Sequence, residues 1–285
     1  MKPHIVLGAC ATLAAVLAAA PLRVVSTAPS ITEILFALGL GDSVAGVTTY
    51  CRYPPEATRK PKVGTFLNPN LEAILSLRPD LVISGPGQIP PGARMPQMKL
   101  RILEVPHDTV DGMLAAIARI GEATGVPAQA ARLQKSIREG LAQVERGTSH
   151  RPKVSTMFVI GRTPGRLDGL VVVGRASYLN EVMRIAGGRN AFEDAAAAYP
   201  RVNLEEILAR QPEVIIDMGD MADPAGVTEE QKRAAKTLWN QAPSLVAVKT
   251  RRVHAVASDI FVVPGPRVVE AAREFARILH PEARP

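Results

Sequence analysis

The sequence predicts an α/β protein with two lobes, each built on a mainly parallel sheet flanked by helices and joined to the other by a long, rigid helix. Short apolar, β-branched runs alternate with helical patterns along the chain, and the alternation restarts after Pro152. Parallel neighbours need a crossover, usually a helix, so this alternation is typical of parallel sheets. Between the halves, residues 128–147 keep one helical periodicity throughout.

The first lobe is expected to cover residues 21–108. Its apolar runs predict strands and its 3.6-residue periodicities predict helices. Ser30 and Glu33 match a capping box at the start of the first helix, and Gly39 is expected to end that helix. The predicted strands are 24–25, 44–47, 81–83 and 102–105, and the predicted helices are 31–38 and 71–77.

A helical connector is expected over residues 109–150. One helical pattern covers 113–123, and a second covers 128–147, where Pro127 suits the first helical position. A helix of about 20 residues is roughly 30 Å long and resists bending. We therefore expect the two lobes to move little relative to one another.

The second lobe is expected to cover residues 151–285. Its predicted strands are 154–160, 214–216 and 253–256, and its predicted helices are 178–185, 204–209 and 268–279. Residues 70–83 align with residues 203–216, and residues 32–39 align more faintly with 180–187. The two lobes therefore look like copies of one unit, with the extra length placed in loops.

Composition excludes several classes of protein. With 47% apolar and 21% charged residues, the chain fits neither a disordered protein nor a polytopic membrane protein. The net charge of +7 is scattered along the chain, which argues against a nucleic-acid partner. Cys51 has no second cysteine in the predicted mature chain, so no disulfide is expected. We expect a monomer.

The first 20 residues are typical of a signal peptide. Lys2 precedes an apolar stretch over residues 5–17, and Ala18-Ala19-Ala20 supplies small residues for cleavage. Leu7-Gly8-Ala9-Cys10 resembles a lipoprotein cleavage box, but too little apolar sequence precedes it. The sequence therefore favours export to the periplasm with a cleaved leader over anchoring through Cys10.

No catalytic or metal site is predicted. The five histidines have no paired metal-ligand spacing, and no serine lies in a Gly-x-Ser-x-Gly motif. A secreted α/β enzyme remains the more distant alternative, because the loops after parallel strands also carry catalytic residues.

The loops after the predicted strands are the expected ligand site, since ligands bind beyond the carboxyl ends of parallel strands. Gly85 follows one such strand, and Tyr50, Tyr53, Phe66 and Phe261 lie in or beside these loops. Aromatic residues are otherwise scarce in the chain, so their grouping favours a flat or bulky apolar ligand.

Glu72 and Glu205 occupy the same position of the internal repeat. Each follows an asparagine, Asn70 or Asn203, that suits a helix N-cap, so each acid lies in a first helical turn. A symmetric pair of carboxylates suits docking on a two-fold symmetric partner that carries arginines.

Several segments together resemble one protein family: Val24-Val25-Ser26 with Ala28-Pro29-Ser30, Gly46-Val47 with Tyr50, Tyr53-Pro54-Pro55-Glu56-Ala57, Asn70-Leu71-Glu72, and Gly187-Gly188 with Asn190. They resemble the substrate-binding proteins of iron-siderophore, haem and cobalamin ABC importers. The resemblance covers the predicted mature chain and implies two lobes bridged by a long helix.

The resemblance also implies a function without catalysis or a resident cofactor: capture of cobalamin or a related corrinoid, and its delivery to an inner-membrane permease. It assigns Glu72 and Glu205 to the two permease subunits. The implied ligand contacts are Tyr50, Phe66, Asp259, Ile260, Phe261, Val262 and Val263. Gly85, selected by its place after a predicted strand, brings the predicted ligand contacts to eight in all.

Two other ligands of the same family stay open. Haem would need an axial ligand such as Tyr50. A ferric siderophore is anionic and would need cationic groups, for which the candidates are Arg52, Arg162, Arg201 and Arg267.

Overall fold

The computed structural model describes residues 22–89, 100–106, 108–219 and 228–282. The predicted signal peptide and Cys10 lie outside these residues. Among the described residues of the first lobe, four parallel strands lie in the order β2-β1-β3-β4, and all four were predicted. Its elements are β1 (Val24–Ser26), α1 (Pro29–Ala37), β2 (Val44–Val47), α2 (Leu71–Ser76), β3 (Leu81–Ser84) and β4 (Ile102–Glu104).

Two long helices lead from the first sheet to the second: α3 (Val110–Ala123) and α4 (Pro127–Thr148). Pro127 occupies the first turn of α4, as predicted, because the fixed φ of proline suits that position and its missing N–H is not needed there. Helix α4 buries Ile137, Leu141 and Val144 along one face. It packs on α3 and also on helices of the second lobe, so one core runs through the connector.

The second lobe contains a larger, mixed sheet in the order β10-β9-β5-β6-β8, with β7 also paired to β5. Its elements are β5 (Val154–Gly161), β6 (Leu170–Val172), α5 (Tyr178–Ile185), β7 (Gly188–Asn190), β8 (Arg201–Val202), α6 (Leu204–Arg210), β9 (Val214–Asp217), α7 (Glu229–Leu238), α8 (Val246–Lys249), β10 (Val253–Ala255) and α9 (Val268–Leu279). Strands β6 and β8 are antiparallel and were not predicted. Residues 170–173 are an apolar run like those of the predicted strands, whereas the two residues of β8 carry no periodicity.

The parallel parts of the two sheets share one topology. Strands β7-β5-β9-β10 repeat the order β2-β1-β3-β4 of the first lobe. The repeat extends to backbone detail: Asn70 and Asn203 both cap their helices, and Arg78 and Gln211, at equivalent positions, have φ of 46° and 45°. The duplication inferred from sequence is therefore present in the fold.

The predicted capping box at Ser30 is wrong. Helix α1 begins at Pro29 after the N-cap residue Ala28, which places Ser30 inside the first turn, and no side chain caps this helix. The prediction failed because proline at the first helical position moved the start of the helix upstream. Glu33 is therefore available for another partner, described below.

Candidate functional site

A cleft of about 1010 Å³ lies between the two lobes. Both lobes contribute to its wall, and most of the lining side chains are apolar or aromatic, which is typical of small-molecule sites. The lining residues are Pro29, Ser30, Tyr50, Arg52, Phe66, Asp108, Ile160, Val171, Ala176, Ser177, Tyr178, Ala198, Tyr199, Ala257, Ser258, Asp259, Val262, Val263 and Pro264.

Tyr50 and Phe66 form the aromatic part of the first-lobe wall. Tyr50 follows strand β2 and is 49% exposed. Phe66 lies in a tight turn, in which the Thr65 N–H donates to the Asn68 carbonyl at 3.1 Å. Gln88 connects this turn to the sheet: its Nε2 donates to the Phe66 carbonyl at 2.8 Å, and its Oε1 accepts from Thr27 Oγ1 at 2.7 Å. The first-lobe wall is thus fastened to the ends of strands β1 and β3.

The second-lobe wall carries Tyr178 and Tyr199. Tyr178 is buried, and its hydroxyl donates to the Phe261 carbonyl at 2.5 Å. Burial raises the pKa of Tyr178 well above its usual value, so the phenol stays protonated. Tyr199 is 45% exposed and comes from the loop before β8. That loop packs closely on Gly174, whose N–H donates to the Ala198 carbonyl at 2.9 Å.

A charged cluster lies at one end of the cleft. Arg267 Nε donates to Glu33 Oε2 at 3.0 Å, and Arg267 Nη2 donates to Glu33 Oε1. Arg267 Nη1 donates to Asp259 Oδ1 at 2.9 Å. The guanidinium also lies over the ring of Tyr53, 4.0 Å from its centre. Burial raises the pKa of Glu33, while the bonds from Arg267 oppose that rise.

This combination of two repeated α/β lobes, a bridging helix and a cleft between the lobes has a match among known families. A family model described as "Periplasmic binding protein" matches residues 24–259. The chain belongs to this family of periplasmic binding proteins.

Individual relatives align over nearly the whole chain. The vitamin B12-binding protein of Photorhabdus laumondii is 29% identical over 92% of this chain and 89% of its own length. The uncharacterized ABC transporter substrate-binding lipoprotein YvrC of Bacillus subtilis is 30% identical, covering 92% of this chain and 81% of its own. The apo structure of the periplasmic heme-binding protein RhuT from Roseiflexus sp. RS-1 superposes with a TM-score of 0.76 at 27% identity, over 93% of this chain and all of its own.

The cleft of this periplasmic binding protein brings together five of the eight predicted ligand contacts: Tyr50, Phe66, Asp259, Val262 and Val263. The other three lie elsewhere. Gly85 is buried, and its N–H donates to Gln88 Oε1 behind the first-lobe wall. Phe261 packs in the core against Phe158 and Phe275, and Ile260 faces a second cavity. The helical turn at Asp259–Phe261 accounts for the positions of Ile260 and Phe261, since successive side chains of such a turn point to different sides.

Sequence reasoning missed the cleft residues Tyr178, Tyr199, Ser177 and Asp108. Tyr178 and Ser177 lie at the start of helix α5, which was predicted as a helix without a role in ligand binding. Tyr199 lies in a loop with no strand pattern before it, so the rule of loops after strands did not select it. An aromatic residue in an otherwise small and polar segment, 193–200, was the available signal.

The four candidate arginines are in different places. Arg52 lines the cleft, and Arg267 is held by two carboxylates at its end. Arg162 donates to the buried Asp217 at 3.1 Å and borders a third cavity. Arg201 is exposed on strand β8, outside the lining of the cleft.

Glu72 and Glu205 are exposed and do not line the cleft. Each lies in the first turn of its helix, α2 or α6, after the predicted asparagine cap. The two acids, which are equivalent in the sequence repeat, therefore also occupy equivalent positions in helices α2 and α6.

Two further observations concern the described ranges alone. Within those ranges, no group of three or more His, Cys, Asp or Glu side chains is placed so that it could hold a metal ion. Within the same ranges, no helix combines the length and apolarity needed to cross a bilayer.

Proposed function

We propose that this protein captures cobalamin or a related corrinoid in the cleft and delivers it to an ABC importer. The relative named vitamin B12-binding protein and the relative named ABC transporter substrate-binding lipoprotein support this proposal, because both align over about nine-tenths of the chain. The cleft supports it physically: a volume of about 1010 Å³ with apolar and aromatic walls suits a large, flat ligand.

The charged cluster at the end of the cleft favours a ligand with amide side chains over an anionic ligand. Arg267 donates to both Glu33 and Asp259, so one guanidinium faces two carboxylates and the cluster has an excess negative charge. Asp259 also lines the cleft. A carboxylate here accepts hydrogen bonds from the amide side chains of a corrinoid and repels the carboxylates of an anionic ligand.

Haem is the second candidate, and one specific observation favours it. The heme-binding protein RhuT has the same fold at 27% identity. Tyr50, exposed in the cleft, would then be the axial ligand of the iron, whereas Tyr178 is already bonded to a carbonyl and kept protonated.

Calorimetric titration with paired ligands tests this choice. We expect cobinamide, whose corrin side chains are amides, to bind more tightly than cobyrinic acid, its carboxylate counterpart, and more tightly than haemin. An Asp259→Asn variant should reduce the preference for the amide form, since it removes the repelling charge. Tight binding of haemin with no binding of either corrinoid would refute the corrinoid proposal and favour haem.

For the partner, we propose that Glu72 and Glu205 each contact an arginine on one subunit of a two-subunit permease. The exposed position of both acids and their equivalence in the repeat support this assignment. Neither acid lines the cleft, so docking and ligand binding should be separable by mutation.

Charge reversal tests the docking surface. We expect Glu72→Lys combined with Glu205→Lys to abolish stimulation of the transporter ATPase while ligand affinity stays unchanged. Glu230→Lys is the matched control, because Glu230 is also exposed in a first helical turn. It lies between β9 and β10, and the sequence between the equivalent strands β3 and β4 contains no acidic residue. A large loss of ligand affinity in the double variant, or an equal loss of stimulation in the control, would contradict docking through these two acids.

For localisation, membership of a periplasmic binding protein family supports action outside the cytoplasmic membrane. We further propose that residues 1–20 are a cleaved export signal. Because one relative is named a lipoprotein, anchoring through Cys10 is the alternative to test. The mass of the mature N-terminal peptide distinguishes a free chain that starts near residue 21 from a lipidated Cys10.

A further inference from the structure

Arg267 joins residues that are far apart in the sequence and belong to different lobes. Glu33 lies on helix α1 of the first lobe, 234 positions before Arg267, and Tyr53 belongs to a first-lobe loop. Arg267 itself precedes helix α9 of the second lobe, and Asp259 belongs to that lobe as well. The guanidinium therefore lies across the boundary between the two lobes.

The bonds across this boundary are of the strong kind. Two guanidinium nitrogens of Arg267 donate to the two oxygens of Glu33, which is the bidentate geometry of the strongest ion pairs. The side chains of Glu33 and Arg267 are only 3% and 11% exposed, so water screens the pair poorly. By contrast, an ion pair exposed to solvent contributes little and would fix no geometry.

The backbone at Gly265 leaves room for the ion pair between Glu33 and Arg267. A methyl group added at Gly265 would lie 2.9 Å from Glu33 Oε2, closer than carbon and oxygen atoms pack. Glycine at this position therefore lets the Glu33 carboxylate reach Arg267. The face of Tyr53 covers the guanidinium from the first lobe, which adds a cation–π contact to the same cluster.

We propose that Glu33, Arg267 and Asp259 form a latch that sets the opening of the cleft, with Arg267 as its positioning residue. The bridging helix α4 restrains the lobes on the connector side, and the latch restrains them at the end of the cleft where Asp259 lies. Opening the lobes at this end separates Arg267 from Glu33 and leaves both charges without their partner, which is costly at a buried site. The unliganded protein is thus held close to its ligand-binding shape.

The expected consequence for binding follows from population shift. If loss of the latch lowers the binding-competent fraction to about one tenth, the apparent dissociation constant rises about tenfold. This consequence rests on the proposed function, since it needs a ligand. The opening of the cleft itself does not depend on the identity of the ligand.

The distance between the lobes in the absence of ligand tests the latch directly. Ser76 and Ala209 occupy equivalent, exposed positions of helices α2 and α6, so spin labels at Ser76→Cys and Ala209→Cys report on the two lobes. Cys51 is buried, and Cys10 is replaced by serine in this background. We expect Arg267→Gln to broaden and shift the distribution of inter-label distances. Arg267→Lys keeps the positive charge but cannot form the bidentate bonds of a guanidinium, so its effect should be smaller.

Two further variants make the test specific. Gly265→Ala displaces the Glu33 carboxylate without removing a charge, and it serves if Arg267→Gln does not fold. Glu274→Gln is the matched control, because it removes an exposed ion pair with Arg277 within helix α9. An unchanged distribution in both Arg267→Gln and Gly265→Ala would overturn the proposal, as would equal broadening in Glu274→Gln.

Titration with cyanocobalamin then separates the latch from the proposed function. Broadening together with an affinity loss of about tenfold supports both. If the protein with an intact latch does not bind cyanocobalamin, but Arg267→Gln still broadens the distance distribution, the latch is supported and the proposed ligand is refuted. Binding lost without any change in the inter-lobe distance refutes the latch.

Discussion

Substitution of Gln88 tests how the first-lobe wall of the cleft is stabilised, because this one side chain forms hydrogen bonds to three segments of the chain. Its Oε1 accepts from Thr27 Oγ1 at 2.7 Å and from the Gly85 N–H at 2.8 Å, and its Nε2 donates to the Phe66 carbonyl at 2.8 Å. Gln88→Leu keeps a side chain of similar size but removes all three bonds. The Gly85 N–H and the Phe66 carbonyl then lose these partners.

Each polar group left without a partner costs about 1–3 kcal/mol when it is buried. Phe66 is only half-buried and water replaces part of its loss, so we expect Gln88→Leu to lower the free energy of unfolding by about 2–4 kcal/mol in total. Ligand affinity should fall as well, since the turn that carries Phe66 is no longer tied to the sheet.

Urea unfolding and ligand titration of the same preparations measure both effects. Gln134→Leu is the control: its Nε2 donates to the Leu114 carbonyl at 2.7 Å in the connector, so it should cost about 1 kcal/mol and leave affinity unchanged. A loss below about 0.5 kcal/mol in Gln88→Leu, or an equal loss of affinity in both variants, would show that Gln88 does not hold the cleft wall.

Two other predictions concern the core and pH. Phe158→Ala should lower the free energy of unfolding by about 3–5 kcal/mol, because the buried ring contacts Phe261 and Phe275; a loss near 1 kcal/mol in urea unfolding would show that the core repacks. Burial lowers the pKa of His254 and His280 from 6.5, so the unfolded state takes up protons first and stability should fall as pH drops from about 7 to 5. A variant with both histidines replaced by glutamine should show a flatter pH profile, and an unchanged profile would contradict this assignment.

Much of the fold follows from local patterns. Helix α4 and the strands of the first lobe have a periodicity long or apolar enough to identify them, and the asparagine caps before Glu72 and Glu205 act within four residues. Strand β8 could not be predicted, because its two residues carry no pattern and are held by pairing with β6.

The candidate site was predictable only in part, for a related reason. Tyr50 and Asp259 lie where loops after parallel strands must lie, so topology alone brings them to the cleft. Phe261 is two residues from Asp259 in sequence but packs in the core, because a helical turn sends neighbouring side chains in different directions. Loop conformation depends on such packing, and local sequence patterns do not encode it.

The duplicated architecture, the bridging helix and the position of the two repeated acids were predictable from the amino-acid sequence, since each depends on periodicity or on contacts between near neighbours. The bond between Glu33, which matched a capping box, and Arg267 of the other lobe became visible only in the folded chain. Residues 234 positions apart leave no local signal in the sequence, because their bond forms only after both lobes have folded and met.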